Sequence, residues 1–188
     1  MKKLLFTIIC VAAAVFAHAE GHMTFKGIEI DGKLDSFVEK LQTQGFELAY
    51  INDYAAVMKG RFTAEDVTVF IFSTPISKLT HTVLVRYEPQ NQWSTLENKY
   101  NNLVESLRKK YGEPSLEVWD VGHTGDPEHE IRMGRARIMT FFDTDNGRVT
   151  VSIADYKDQY GLHNLSVAIA YLDNANNDLN DSESESDL

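Results

Sequence analysis

The chain has 188 residues, one cysteine and a formal net charge of −10, from 28 acidic and 18 basic side chains. That acidic balance argues against nucleic acid as a partner, because phosphates recruit Lys and Arg. A single cysteine excludes an intrachain disulfide, so the fold must rest on core packing.

Residues 1–19 have the layout of a cleavable export signal. Lys2 and Lys3 form a positive start, Leu4 to Phe16 is an uncharged apolar run, and Ala17-His18-Ala19 supplies small residues before a cut. The run is shorter than the ~20 residues that span a bilayer. Cys10 lies inside it and follows Ile9 rather than a small residue, so a lipid anchor is not expected. Cleavage near Ala19 leaves about 169 residues without cysteine, expected as one α+β domain over residues 20–172 in the periplasm or the external medium. No second long apolar segment follows, so the reading is not that of an integral membrane protein.

The first helix is expected over residues 33–44, where Leu34, Phe37, Val38 and Leu41 share one face and Gly45 stands at the end. Period-two alternation follows: Val67, Val69 and Ile71 alternate with Thr68, Phe70 and Phe72, and Leu79, His81, Val83, Val85 and Tyr87 alternate with Thr80, Thr82, Leu84 and Arg86. Such patterns predict antiparallel strands with one face on the core and one wetter. A second helix is expected over residues 95–111, with Ser94 as N-cap, Glu97 completing a capping box, and a stripe of Leu96, Tyr100, Leu103, Val104, Leu107 and Tyr111. Gly112 and Pro114 end it. Further strands cover Val149 to Ile153 and Leu165 to Tyr171, and Asn146-Gly147 reads as a tight hairpin because both residues tolerate positive φ. Residues 173–188 hold six carboxylates and no base, and read as a solvated, disordered acidic tail.

Two stretches repeat. VTVFI at 67–71 matches VTVSI at 149–153, and VLVRY at 83–87 matches VAIAY at 167–171. A helix precedes each pair. The pattern predicts two degenerate copies of one helix followed by an antiparallel β-meander, the first over about 23–90 and the second over about 91–172.

The stretch FKGIEIDGKLDSFVEKLQTQGF at 25–46, together with Trp93-Ser94-Thr95-Leu96, resembles a set of small secreted proteins of Bacteroidetes-type bacteria that share an FKGIxIDG-like start. The resemblance implies export and no particular activity. The tandem helix-plus-meander layout is also similar to β-lactamase-inhibitor-protein-like and outer-membrane-assembly-lipoprotein folds, which are binding modules. The analogy is one of fold alone, since the chain lacks the disulfides of the first and the lipid anchor of the second.

Few residues suggest chemistry. His123 and His129 share a polar loop with Asp126, Glu128 and Glu130, but their spacing matches no metal motif and the glycines mark an ordinary loop. Asp143 to Gly147 lacks the ligands of a calcium loop. Arg132, Arg135 and Arg137 lie close together and read as charges paired with nearby carboxylates. His81 falls on the apolar side of its strand and His163 takes the matching place in the second copy; together they would face a shared cleft, or each would sit singly at the sheet edge. Tyr156 and Tyr160 flank a short loop, and exposed tyrosines on a rigid sheet suit recognition better than catalysis. No nucleophile elbow, phosphate loop or dinucleotide fingerprint is present. The expectation is a non-enzymatic binding module for a protein or envelope component, without cofactor or metal. The alternatives are a periplasmic small-ligand carrier centred on His81 and His163, or a hydrolase with an unrecognised site.

Overall fold

The computed structural model describes residues 21–158 and 160–185. The export signal expected at 1–19 lies outside them. Strands β1 (Thr24–Phe25) and β2 (Ile28–Glu29) form a small ribbon. Its two-residue turn, Lys26-Gly27, has positive φ at both positions, the geometry that matches the twist of a tight hairpin. The ribbon buries Phe25 and Ile28 against the main core.

Helix α1 (Leu34–Thr43) follows, with Leu34, Phe37, Val38 and Leu41 buried. Its end is a Schellman motif. Gly45, at φ +86°, donates its N–H to the Gln42 carbonyl, and the Phe46 N–H returns to the Leu41 carbonyl. The turn drops Phe46 into the core. Four strands then run as a meander: β3 (Glu47–Ile51), β4 (Ala55–Phe62), β5 (Glu65–Ser73) and β6 (Thr80–Tyr87). Helix α2 (Trp93–Tyr111) is followed by β7 (Leu116–Asp120), the short helix α3 (Pro127–Arg132), β8 (Arg137–Thr144), β9 (Gly147–Lys157) and β10 (His163–Asp173). All eight strands join in one antiparallel sheet in the order β3-β4-β5-β6-β10-β9-β8-β7, so β6 and β10 are neighbours at its centre. The protein is α+β, with four helices and one large antiparallel sheet among the described residues.

The stripe of α2 (Leu96, Tyr100, Leu103, Val104 and Leu107) and that of α1 merge with Val69, Ile71, Val83, Val85, Val151 and Ile169 in one hydrophobic cluster. Burying each large side chain contributes about 1.5–3 kcal/mol. The helices therefore cover one sheet face. Among the described residues no helix is long and apolar enough to cross a membrane, a statement that does not concern β-barrels.

Three local expectations change. Helix α2 begins two residues earlier than its Ser94 signal, with Gln92 as N-cap and no side-chain cap, because Trp93 packs on the core and draws the first turn with it. The β8–β9 turn is Asp145-Asn146 rather than Asn146-Gly147. Gly147 already pairs with Asp173 inside the sheet, where close approach and not positive φ explains the glycine.

The third change is the tail. Residues 174–185 form helix α4 (Asn174–Glu185), set against β6, β9 and β10. Composition alone counts its charges as solvated, but three of its polar side chains find backbone partners on distant segments. Asp173 caps the helix by accepting the Asn176 N–H at 2.9 Å. The Asn176 amide donates to the Ile30 and Thr80 carbonyls at 3.1 and 2.8 Å. The Glu183 carboxylate accepts the Ile76 and Ser77 N–H groups at 2.7 and 3.0 Å.

Candidate functional site

The face of the sheet turned away from α1 and α2 carries an unbroken lateral row. Tyr50, Val57, Phe70, Leu84, Ala170, Thr150, Phe141 and Leu116 stand directly opposite one another, one from each strand. At the usual strand spacing the row is roughly 33 Å wide. Six of the eight are large apolar or aromatic side chains, on the side where alternation places polar ones. The two at the edges, Tyr50 and Leu116, are 56% and 55% exposed, and those between them are half-buried. The small Ala168, Ala170 and Ser152 of the central strands leave the middle of the face low.

The adjacent row contains Lys59, Thr68, Arg86, Ala168, Ser152, Met139 and Val118. Arg86 is the one charge near the centre. Its Cζ lies 4.7 Å from the centre of the Phe70 ring and 4.9 Å from that of Tyr156. Such stacking favours a planar cation over an aromatic face. Beside it, Val57, Lys59, Thr68 and Phe70 line an open groove of about 790 Å³. Burial pushes the Tyr156 hydroxyl above its ordinary pKa, and the neighbouring guanidinium acts in the opposite direction.

The four residues singled out in the sequence do not form one site. Tyr156 lies within β9, half-buried beside Arg86, and so belongs to the open face. Tyr160 stands at the tip of the β9–β10 turn, 78% exposed. His81 and His163 lie at opposite ends of the sheet. Thr82, next to His81, pairs with Leu172, nine positions along β10 from His163, or roughly 30 Å. They cannot face one cleft, because equivalent positions in antiparallel neighbours run away from each other. Burial lowers the His81 pKa, with Asp181 opposing, and the ring meets the Thr82 hydroxyl at 3.0 Å. His163 pairs with Asp155.

The 121–130 loop is a structural clamp. Asp126 caps α3 through the His129 N–H at 3.1 Å. Glu130 turns inward beneath Gly122 and receives a two-pronged contact from Arg135 at 2.9 and 3.0 Å, and the Thr124 hydroxyl at 2.9 Å. Arg132 ends α3 beside Glu128. Among the described residues no three His, Cys, Asp or Glu side chains gather as a metal-binding set. The Arg135 guanidinium, then Thr124, pulls the Glu130 carboxyl down to about 2, while its thin cover of loop works the other way. A depressed carboxylate stabilises the fold above the unfolded pKa near 4.5 and loses that contribution as pH falls toward 2. Thermal unfolding between pH 5 and 2 should therefore show a smaller drop in Tm for Glu130→Gln than for the native chain, the two curves converging at the acid end. Parallel curves would mean that the clamp does not titrate.

Phe70 and Arg86 were not singled out as site residues from the sequence. Their signal was an aromatic and a cation on the outward phase of otherwise apolar strands, inside the VTVFI and VLVRY repeats. No family model, curated protein or solved structure matches this chain, so its own geometry carries the functional argument.

Proposed function

We propose that this chain is an exported, non-enzymatic binding module that recognises a protein partner through the open face of its sheet. The observation that carries this reading is the uncovered apolar row from Tyr50 to Leu116. A side chain such as Phe70 gains nothing from pointing toward water, and contiguous exposed apolar surface is characteristic of an interface. A sheet of eight paired strands also holds such a surface rigid, which lowers the entropy lost on binding.

The module is built of two copies of a helix-plus-meander unit. The sequence repeat and the strand register support this independently. VTVFI aligned with VTVSI, and VLVRY aligned with VAIAY, carry the pair Val67–Tyr87 onto Val149–Tyr171, and both pairs are in register in the sheet. The same alignment equates Val85 with Ile169, and these two residues pair directly where β6 meets β10. An approximate twofold axis between the copies requires such a self-matching pair. The order of one helix followed by four strands recurs on both sides of it, with the short helix α3 inserted between the first two strands of the second copy.

The test is capture of partners from the envelope fraction of the host by the native chain and by Phe70→Ala. The variant should fold normally and retain its captured protein at least tenfold more weakly, the loss typical of a central aromatic contact. Equal retention would remove the face from consideration, and ester, peptide or glycan turnover by the native chain would displace the non-enzymatic reading.

A further inference from the structure

Arg86 is unusual among the arginines of this chain. Arg61, Arg108, Arg132, Arg135 and Arg148 each pair with at least one carboxylate. Arg86 and Arg137 pair with none among the described residues, and Arg137 is exposed at the start of β8. Arg86 is half-buried, and its guanidinium nitrogens are neither hydrogen-bonded to a described residue nor closed off from solvent. In a chain with 28 acidic side chains, carboxylates are plentiful. The acidic groups that share a groove with it are otherwise placed: Asp66 faces Arg61 at 3.7 Å, and Asp158 accepts the Tyr160 and Leu162 N–H groups of its own turn at 2.9 Å. Glu47 and Glu88, on the rim of the groove, are exposed. Lys59, two places along the same cross-strand row, also pairs with no carboxylate among the described residues.

A partly desolvated cation normally has an anionic partner. Here two aromatic rings hold the guanidinium in place, so little side-chain freedom remains to be lost when a partner arrives. Resting on the open-face reading, we infer that the partner is a protein segment that sets an Asp or Glu carboxylate on Arg86 while an adjacent apolar side chain packs in the groove against Val57 and Phe70. Arg86 would make the charge-assisted, two-pronged contact that a carboxylate fits best. The rim carboxylates of Glu47, Asp66 and Glu88 would repel an acidic segment set in another register, which favours the register that meets Arg86.

A random dodecapeptide library displayed on phage, panned on the full chain, tests this. The expected result is a set of peptides enriched in an acidic residue beside an aromatic or aliphatic one. Synthetic copies with that Glu changed to Gln should bind the native chain roughly tenfold to a hundredfold more weakly, a result that requires no altered protein. Arg86→Gln should show a similar loss, Arg86→Lys a smaller one, and Arg137→Gln none, with affinity falling as salt rises. Peptides lacking an acidic residue, lost with Phe70→Ala but not with Arg86→Gln, would overturn the carboxylate inference and leave the binding face standing. Peptides indifferent to both variants, or none selected, would overturn both. Self-association of the chain abolished by Arg86→Gln would place a second copy on the face instead.

Discussion

Asp173→Ala is expected to destabilise the protein by roughly 3 kcal/mol, combining ~1 kcal/mol for a helix cap with 1–3 kcal/mol for a buried N–H left without an acceptor. The Asp173 side chain has no exposure to solvent and holds two chain segments far apart in sequence. One oxygen accepts the Met23 N–H at 2.8 Å, which fixes the entry of the β1–β2 ribbon, and the other accepts the Asn176 N–H at the start of α4. His22 closes the arrangement at 3.1 Å. Burial opposes charge on that imidazole, but Asp173, aided by Asp31 and Glu29, more than offsets it and holds the pKa above the ordinary 6.5. The contribution of His22 is therefore complete below pH 6.5 and disappears as pH rises through the raised value. Urea unfolding gives the magnitude, and amide exchange at Met23 and Asn176 locates it. Asp173→Asn keeps one acceptor and should lose about half as much. A variant within about 0.5 kcal/mol of the native chain would show that the ribbon and α4 are held by other contacts.

Gly147→Ala is expected to cost about 3 kcal/mol, the upper range for forcing extra volume into a packed site. A Cβ on Gly147 would lie 2.0 Å from the Leu172 carbonyl oxygen, and Met23 closes the space behind it at 3.2 Å. The obstacle is backbone within the longest strand pair, β9–β10, so it cannot turn aside as a side chain would. Gly134→Ala separates steric overlap from backbone strain. Gly134 has a φ of +68° and open space around it, so alanine there should cost only ~1 kcal/mol. Comparable losses at the two positions in the same unfolding assay would mean that the β9–β10 pair opens to admit the methyl group.

Much of the architecture was legible because it depends on periodicity. The stripes of α1 and α2, the alternation of β5, β6, β9 and β10, and Gly45 at a helix end follow from which residues recur at 3.6 or 2 positions. The acidic end of the chain was not legible. Its charges look solvated until Asp173, Asn176 and Glu183 are seen to meet backbone groups of Met23, Ile30, Thr80, Ile76 and Ser77, all distant in sequence.

The candidate site divides in the same way. Sequence alone determined that Phe70 and Arg86 share the outward phase of neighbouring strands, because side-chain direction in a strand alternates whatever it pairs with. It also made Tyr156 a candidate, by residue type. Only the tertiary structure decided that β6 and β10 pair antiparallel at the centre of the sheet, a choice made by long-range register rather than local preference. That pairing separates His81 from His163, brings Tyr156 of β9 to the Arg86 that β5 already faces with Phe70, and joins two four-stranded halves into one open face, because residues distant in the chain become neighbours only when the ladder forms.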